Sequence, residues 1–209
     1  MNVLDRPLVT VLTPTTSDRF HFNTRIREIV SMQDYPFIEH IIEMDNSLPL
    51  GEKINRMIAG SKGSIIINLD SDDFFAPDWI SKSVDCLLKN KADVIGLKKA
   101  YFYSPSKNEL YTYTYPDNDK YLFGGTMCHT REYWERNKYR PVMVGYDNWF
   151  THDAPCNIAI LDYTDGFIAT IHADNVSPKN TTGDRWRLIQ NIPTSLHSLL
   201  KLYSPLILP

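Results

Sequence analysis

An α/β fold organised around a parallel crossover is predicted by three observations. The run Ser64-Ile65-Ile66-Ile67-Asn68-Leu69 is apolar and β-favouring and stops at Asp70-Ser71-Asp72-Asp73, which reads as a buried strand delivering acids to a sheet edge. Upstream, a strand, a helix and a second strand follow one another, the order of a right-handed crossover. Beyond residue 97 the pattern changes: Tyr111-Thr112-Tyr113-Thr114-Tyr115 alternates strictly, which predicts antiparallel strands or a hairpin.

The elements follow in chain order. Leu8-Val9-Thr10-Val11-Leu12-Thr13 is β-branched and bounded by Pro7 and Pro14, giving the first strand, and Thr13 to Arg19 is a polar turn at its carboxyl end. From Asn23 to Met32, Ile26, Ile29 and Val30 fall at helical spacing with Arg25, Arg27 and Glu28 turned outward. Glu39 to Met44 makes the second strand, closing on Asp45-Asn46-Ser47. A helix from about Gly51 to Ser61 places Ile54, Met57 and Ile58 inward, and Lys62-Gly63 turns the chain into the central strand. Trp79, Ile80, Val84, Leu87 and Leu88 mark the next helix, and Ala92 to Leu97 a fourth strand. Later come a helix from about Arg131 to Asn137, the segment Gly145 to Phe150, and the strand Gly166 to Ile171, which runs into His172. A short amphipathic helix and an apolar Leu206-Ile207-Leu208 are expected after Pro193.

The chain has 209 residues, 43% hydrophobic and 22% charged, enough for one substantial core and too short for two comfortable domains. Its net charge of -3 and its lack of long basic runs argue against nucleic acid. No stretch approaches the roughly 20 apolar residues that span a bilayer. The beginning, Met1 to Pro7, lacks a signal peptide's apolar core, and Cys86, Cys128 and Cys156 are widely spaced, which fits reduced thiols in the cytoplasm. The sequons at Asn175 and Asn180 are then expected to stay unmodified.

Carboxylates clustered beyond the end of a strand suit a hard, oxygen-seeking cation such as Mn²⁺ or Mg²⁺. The competing reading of Asp70 to Asp73 is an acidic turn capping the next helix, since Ala76-Pro77 follows at once.

Taken together and in this order, the pieces from about residue 8 to 180 resemble the GT-A glycosyltransferases, particularly the family 2-like enzymes. The matching motifs are Val11-Leu12-Thr13-Pro14-Thr15, Met44-Asp45-Asn46-Ser47, Asn55 with Lys62-Gly63, the D-x-D signature Asp70-Ser71-Asp72-Asp73, Gly145-Tyr146-Asp147 and the late His172. The family's Gly-Glu-Asp segment has Tyr146 in place of Glu here. The resemblance implies a GT-A, Rossmann-like mixed sheet with helices on both faces and a small antiparallel acceptor-side region. It implies one such domain over 1–209, with a nucleotide-binding half at 8–97, an acceptor and metal half at 98–180, and a C-terminal helix and tail at 181–209. Multidomain viral and bacterial glycosyltransferases carry such a domain within a longer chain.

The activity so implied is metal-dependent transfer of a hexosyl or deoxyhexosyl group from a UDP-sugar to a hydroxyl of a glycan or other acceptor. By resemblance Thr13, Pro14, Thr15 and Asp45 hold the base and ribose, with Arg19, Lys53, Ser71 and Lys179 as further nucleotide or diphosphate contacts. Asp70 faces the ribose or a metal water, Asp72 and His172 ligate Mn²⁺ or Mg²⁺, and Asp147 is the general base. Gly124, Gly125 and Thr126 let backbone approach the sugar, Trp134, Trp149 and the tyrosines are candidates for stacking, and His152 and Asp153 lie near the base. Read without the resemblance, Asp45 caps a turn, Asp147 caps a helix, His172 is a structural histidine and Lys179 a solvated surface residue. Two other functions stay open: a sugar-phosphate nucleotidyltransferase, disfavoured because Thr13-Pro14-Thr15-Thr16 is not a glycine-rich phosphate loop, and a non-catalytic nucleotide-sugar binding module.

Overall fold

The computed structural model describes residues 5–197. Strand β1 (Val9–Pro14) leads through a 3-10 turn (Ser17–Arg19) into α1 (His21–Ser31), β2 (Ile38–Glu43), α2 (Leu50–Ala59) and β3 (Ile65–Asn68). The short β4 (Phe74–Phe75), α3 (Trp79–Lys89) and β5 (Val94–Gly96) follow. Next come β6 (Lys99–Ser104), β7 (Glu109–Thr114), a 3-10 turn (Gly124–Thr126), β8 (Cys128–Thr130), α4 (Arg131–Arg136) and α5 (Tyr146–His152). Strands β9 (Ile158–Ile160), β10 (Phe167–Thr170) and β11 (Trp186–Ile189) come last.

Two sheets result. The first has the order β2-β1-β3-β8-β5-β9; β1 runs parallel to β2 and β3, as the crossover requires, while β8 is antiparallel to β3 and β5 and β9 is parallel to β5. The second has the order β11-β7-β6-β10-β4 and is built on the predicted hairpin, β6 against β7, with Phe102 opposite Tyr111 and Ala100 opposite Tyr113. Strand β10 lies parallel to β6 and antiparallel to β4.

Alternate residues of the first sheet face opposite layers of helices. Val9, Val11, Ile65, Ile67 and Ile95 pack with Ile26 and Ile29 of α1 and Trp79, Ile80, Val84 and Leu87 of α3. Leu12, Ile66 and Val94 pack on the other side with Ile54, Met57 and Ile58 of α2, Tyr133 and Trp134 of α4 and Phe150 of α5. With both faces covered, the central strand has no polar side to show, which is why Ile65-Ile66-Ile67 of β3 reads as an unbroken apolar run. Each such side chain contributes roughly 1.5–3 kcal/mol on burial.

Three expectations change. Arg25 is not turned outward: it is buried, its guanidinium lies 3.8 Å from the Phe74 ring centroid, and Nη2 donates to the Asp73 carbonyl. Strands β4, β8, β9 and β11 were not anticipated. The segment after residue 180 contributes β11, paired antiparallel with β7; residues 194–197 are helical, and Leu206-Ile207-Leu208 and the rest of the expected tail lie outside the described residues. Among the described residues, no helix is long and apolar enough to cross a membrane, and the three cysteines are unbridged.

Candidate active site

Because β1 and β3 are parallel, their carboxyl ends open on the same edge of the sheet, where α/β folds bind ligands. A cavity of about 520 Å³ lies there. Pro14, Thr15, Arg19, Lys53, Asp70, Asp72, Gly124, Gly125, Asp147 and Lys179 all line it. Ten predicted site residues, drawn from positions 14 to 179, therefore meet in one space.

Asp72 is the most heavily engaged acid. Its Oδ2 lies 2.8 Å from Nε2 of His172, is paired with the Arg19 guanidinium, and is 3.4 Å from Nδ2 of Asn175. The next acid, Asp73, accepts the Thr170 amide N–H at 2.9 Å, which ties the end of β10 to the end of β3 and brings His172, two residues on, to Asp72. None of the three acids caps α3; Asp78 holds the capping position. Burial alone raises a carboxyl's pKa, but the hydrogen bond from His172 and the Arg19 charge overcome it at Asp72 and hold that group below its usual value. Burial and the neighbouring Asp72 charge instead push Asp70 up to about 7 and Asp73 well above the ordinary range.

A turn of two glycines separates this cluster from Asp147. A Cβ on Gly125 would lie 2.6 Å from Asp70 Oδ2, and one on Gly124 would lie 2.8 Å from Asp147 Oδ2, so a larger residue at either position would have to push the facing carboxylate aside, which glycine does not. Gly145, at φ 77°, occupies the cap of α5. Asp147 is thus the second residue of that helix, not its cap. Burial raises its pKa, partly offset by the Asn148 and Gly124 backbone N–H groups.

The family model described as glycosyl transferase family 2 matches residues 25–163. The chain belongs to this family. Its two mixed sheets with flanking helices are the GT-A arrangement. Among solved structures it is similar to S. aureus TarS 1-349 in complex with UDP-GlcNAc, at 14% identity and TM-score 0.61 over 95% of this chain and 66% of that one. It is also similar to TarS 1-349 in complex with UDP, at 14% identity and TM-score 0.59 over 78% of this chain and 60% of that one. Against a further S. aureus TarS structure the identity is 15% and the TM-score 0.59, with 78% of this chain and 37% of that one covered. The chain spans less than two thirds of the length of each of these TarS chains. No curated protein sequence matches it.

Several family-implied residues lie beside the cavity instead of lining it. Thr13 is buried; its hydroxyl donates to the Leu69 carbonyl and lies 3.0 Å from Nε2 of His40, joining β1, β2 and β3. Since that hydroxyl proton is already used, His40 donates. Ser71 is buried with its Oγ 3.4 Å from Thr15 Oγ1. Asp45 is closed off: Oδ1 accepts from the Ser47 amide and hydroxyl, and Oδ2 pairs with Arg56 at 2.9 Å. The Ser47 hydrogen bonds and Arg56 pull its pKa down to about 2, and the adjacent Asn46 lines the cavity in its place. Lys53, by contrast, lines the cavity although largely buried, and donates to the Thr15 carbonyl at 2.5 Å.

The aromatic candidates separate sharply. Trp134 is buried, with Nε1 donating to Asn55, and Trp149 is exposed under Arg140. Neither lines the cavity, whereas Tyr113, Tyr115 and the unanticipated Trp186 do. Asp153 forms a two-pronged pair with Arg140 and His152 packs on Tyr121, so both are occupied away from it. Asn175, which touches Asp72, was also missed as a site residue; its signal was its position three residues after His172.

Proposed function

We propose that this chain transfers a hexosyl or deoxyhexosyl group from a UDP-sugar to a hydroxyl of a glycan or other acceptor, using Mn²⁺ or Mg²⁺ at Asp72 and His172. The observation that carries this reading is the convergence in one cavity of the end of β1, the Asp70 and Asp72 carboxylates, Lys179 and a half-buried Asp147. The similar TarS structures, described in complex with UDP and UDP-GlcNAc, support a nucleotide sugar as the donor class.

The residues present fit such a cation. Carboxylate oxygens suit Mn²⁺ and Mg²⁺, and the neighbouring Asp72 charge adds to burial in raising the pKa of Asp70. Among the described residues, no three ligating side chains form a complete cluster, which is compatible with a site completed by substrate phosphates. The bound cation would neutralise charge developing on the departing diphosphate.

The chain's own residues supply the rest. Thr15 and Lys53 grip the nucleoside end, while Arg19 and Lys179 bring positive charge to the diphosphate. Asp147 takes the proton of the acceptor hydroxyl as that oxygen bonds to the anomeric carbon and the bond from that carbon to the diphosphate breaks, releasing UDP. Its raised pKa makes it a stronger base than an ordinary carboxylate. The test is slow UDP release from UDP-hexoses with Mn²⁺ and no acceptor. Release above the background of Asp72→Ala supports a transferase; binding of UDP without any release would favour the non-catalytic module.

A further inference from the structure

The wall of the cavity beyond Gly124 is built of aromatic rings. Phe102 of β6, Tyr113 of β7, Tyr115, Phe123 and Trp186 of β11 all line it. Trp186 meets Phe102 at 4.9 Å and Tyr113 at 5.0 Å between ring centroids, both edge to face, and Tyr115 meets Phe123 at 4.7 Å. These contacts join the rings into one contiguous surface. Phe123 directly precedes Gly124, so the surface runs up to the Asp147 carboxylate. Strand β11 exposes Arg187 and Leu188 to solvent while Trp186 stays half-buried, so its contribution to the cavity is this indole.

We infer that this wall is the acceptor subsite and that the acceptor group it receives is a pyranose, stacked by its C–H face on Trp186 and its neighbours. The inference rests on the transferase reading above, which assigns the nucleotide to Thr15 and Lys53. Aromatic faces reward flat apolar surface, and a pyranose offers it through its axial C–H groups while its equatorial hydroxyls remain free for a polar rim. Here that rim contains Asn180, with Arg185 hydrogen-bonded to the Tyr113 hydroxyl at 3.3 Å. An acyclic polyol has no such face, so the wall selects ring over chain.

Saturation-transfer NMR on the whole chain with UDP and Mn²⁺ tests this. The probe is methyl β-D-glucopyranoside, whose equatorial substituents leave axial C–H groups on both faces; ribitol is the acyclic control. Irradiating the aromatic protons should saturate the glucoside ring protons and not ribitol. Trp186→Ala and Trp186→Leu should weaken glucoside binding roughly 2- to 10-fold, the range expected for losing one aromatic contact. Trp186→Phe, which keeps a ring against Phe102, should retain most of it and guards against loss of the fold. Trp149→Ala, outside the cavity, should match wild type. UDP binding without glucoside saturation, equal saturation of ribitol, or unchanged binding in the folded Trp186→Leu variant would overturn the subsite. Glucoside saturation that depends on Trp186 in a protein that binds no UDP would instead keep the pyranose wall and overturn the transferase reading.

Discussion

Gly124 lies directly against the Asp147 carboxylate: an added Cβ would stand 2.8 Å from Oδ2 and 3.1 Å from Cβ of Asp147. The glycine is therefore part of how the base is positioned. Gly124→Ala should displace Asp147 and lower kcat by roughly 10², the cost of an ångström-scale misplacement of a catalytic group, with a smaller change in donor affinity. Gly125→Ala, aimed at Asp70 Oδ2, should act mainly on donor affinity. Steady-state kinetics with both variants checks the split, and equal effects on kcat and donor affinity in the two would contradict it.

Asp147→Asn keeps the shape of the side chain and removes its basicity. Donor affinity should stay near wild type while turnover falls by roughly 10² to 10⁴, the range for loss of a general base. Only the ionised carboxylate accepts a proton, and burial raises the pKa of Asp147, so the acid limb of the kcat profile should lie above the ordinary carboxylate range. A pH profile of wild type and near-normal turnover by the Asn variant are the informative results; the second would dismiss Asp147 as the base.

Two histidines predict an acid sensitivity of the fold itself. Burial lowers the pKa of both His40 and His129 from 6.5 to about 4. Between those values the unfolded chain binds protons that the folded chain refuses, so their contribution to stability is complete above about pH 6.5 and is lost as the pH falls towards 4. Asp70 works the other way, since its folded pKa of about 7 lies above the unfolded 3.8 and favours the fold as the pH drops. A difference measurement isolates the histidine: Tm of wild type should fall, relative to His129→Asn, between pH 6.5 and 4. Parallel Tm curves would show that His129 does not titrate as described.

The helices and the central strands were legible because burial dictates their pattern. The period of Ile54, Met57 and Ile58 gives α2, and the unbroken Ile65-Ile66-Ile67 gives a strand covered on both faces. Strands β8 and β9 were not legible, because three residues such as Cys128-His129-Thr130 carry no period and gain their hydrogen bonds only from neighbours far along the chain. In the site, the family resemblance named Asp72 and His172, which lie 2.8 Å apart in the fold, and Asp147, which lines the same cavity as Asp72. The resemblance did not reveal that Arg56 would close off Asp45, or that Trp186 and not Trp134 would face the cavity, because both outcomes depend on which way a side chain turns in the assembled fold.

The most direct measurement is calorimetry of UDP binding with Mn²⁺ and again in EDTA. Donor binding at the Asp72 end of the cavity predicts affinity that falls strongly in EDTA, with Asp72→Ala reproducing that loss in the presence of Mn²⁺ and His172→Ala reproducing part of it. Equal UDP affinity with and without metal, unaltered in Asp72→Ala, would contradict the metal-dependent transfer proposed for this site.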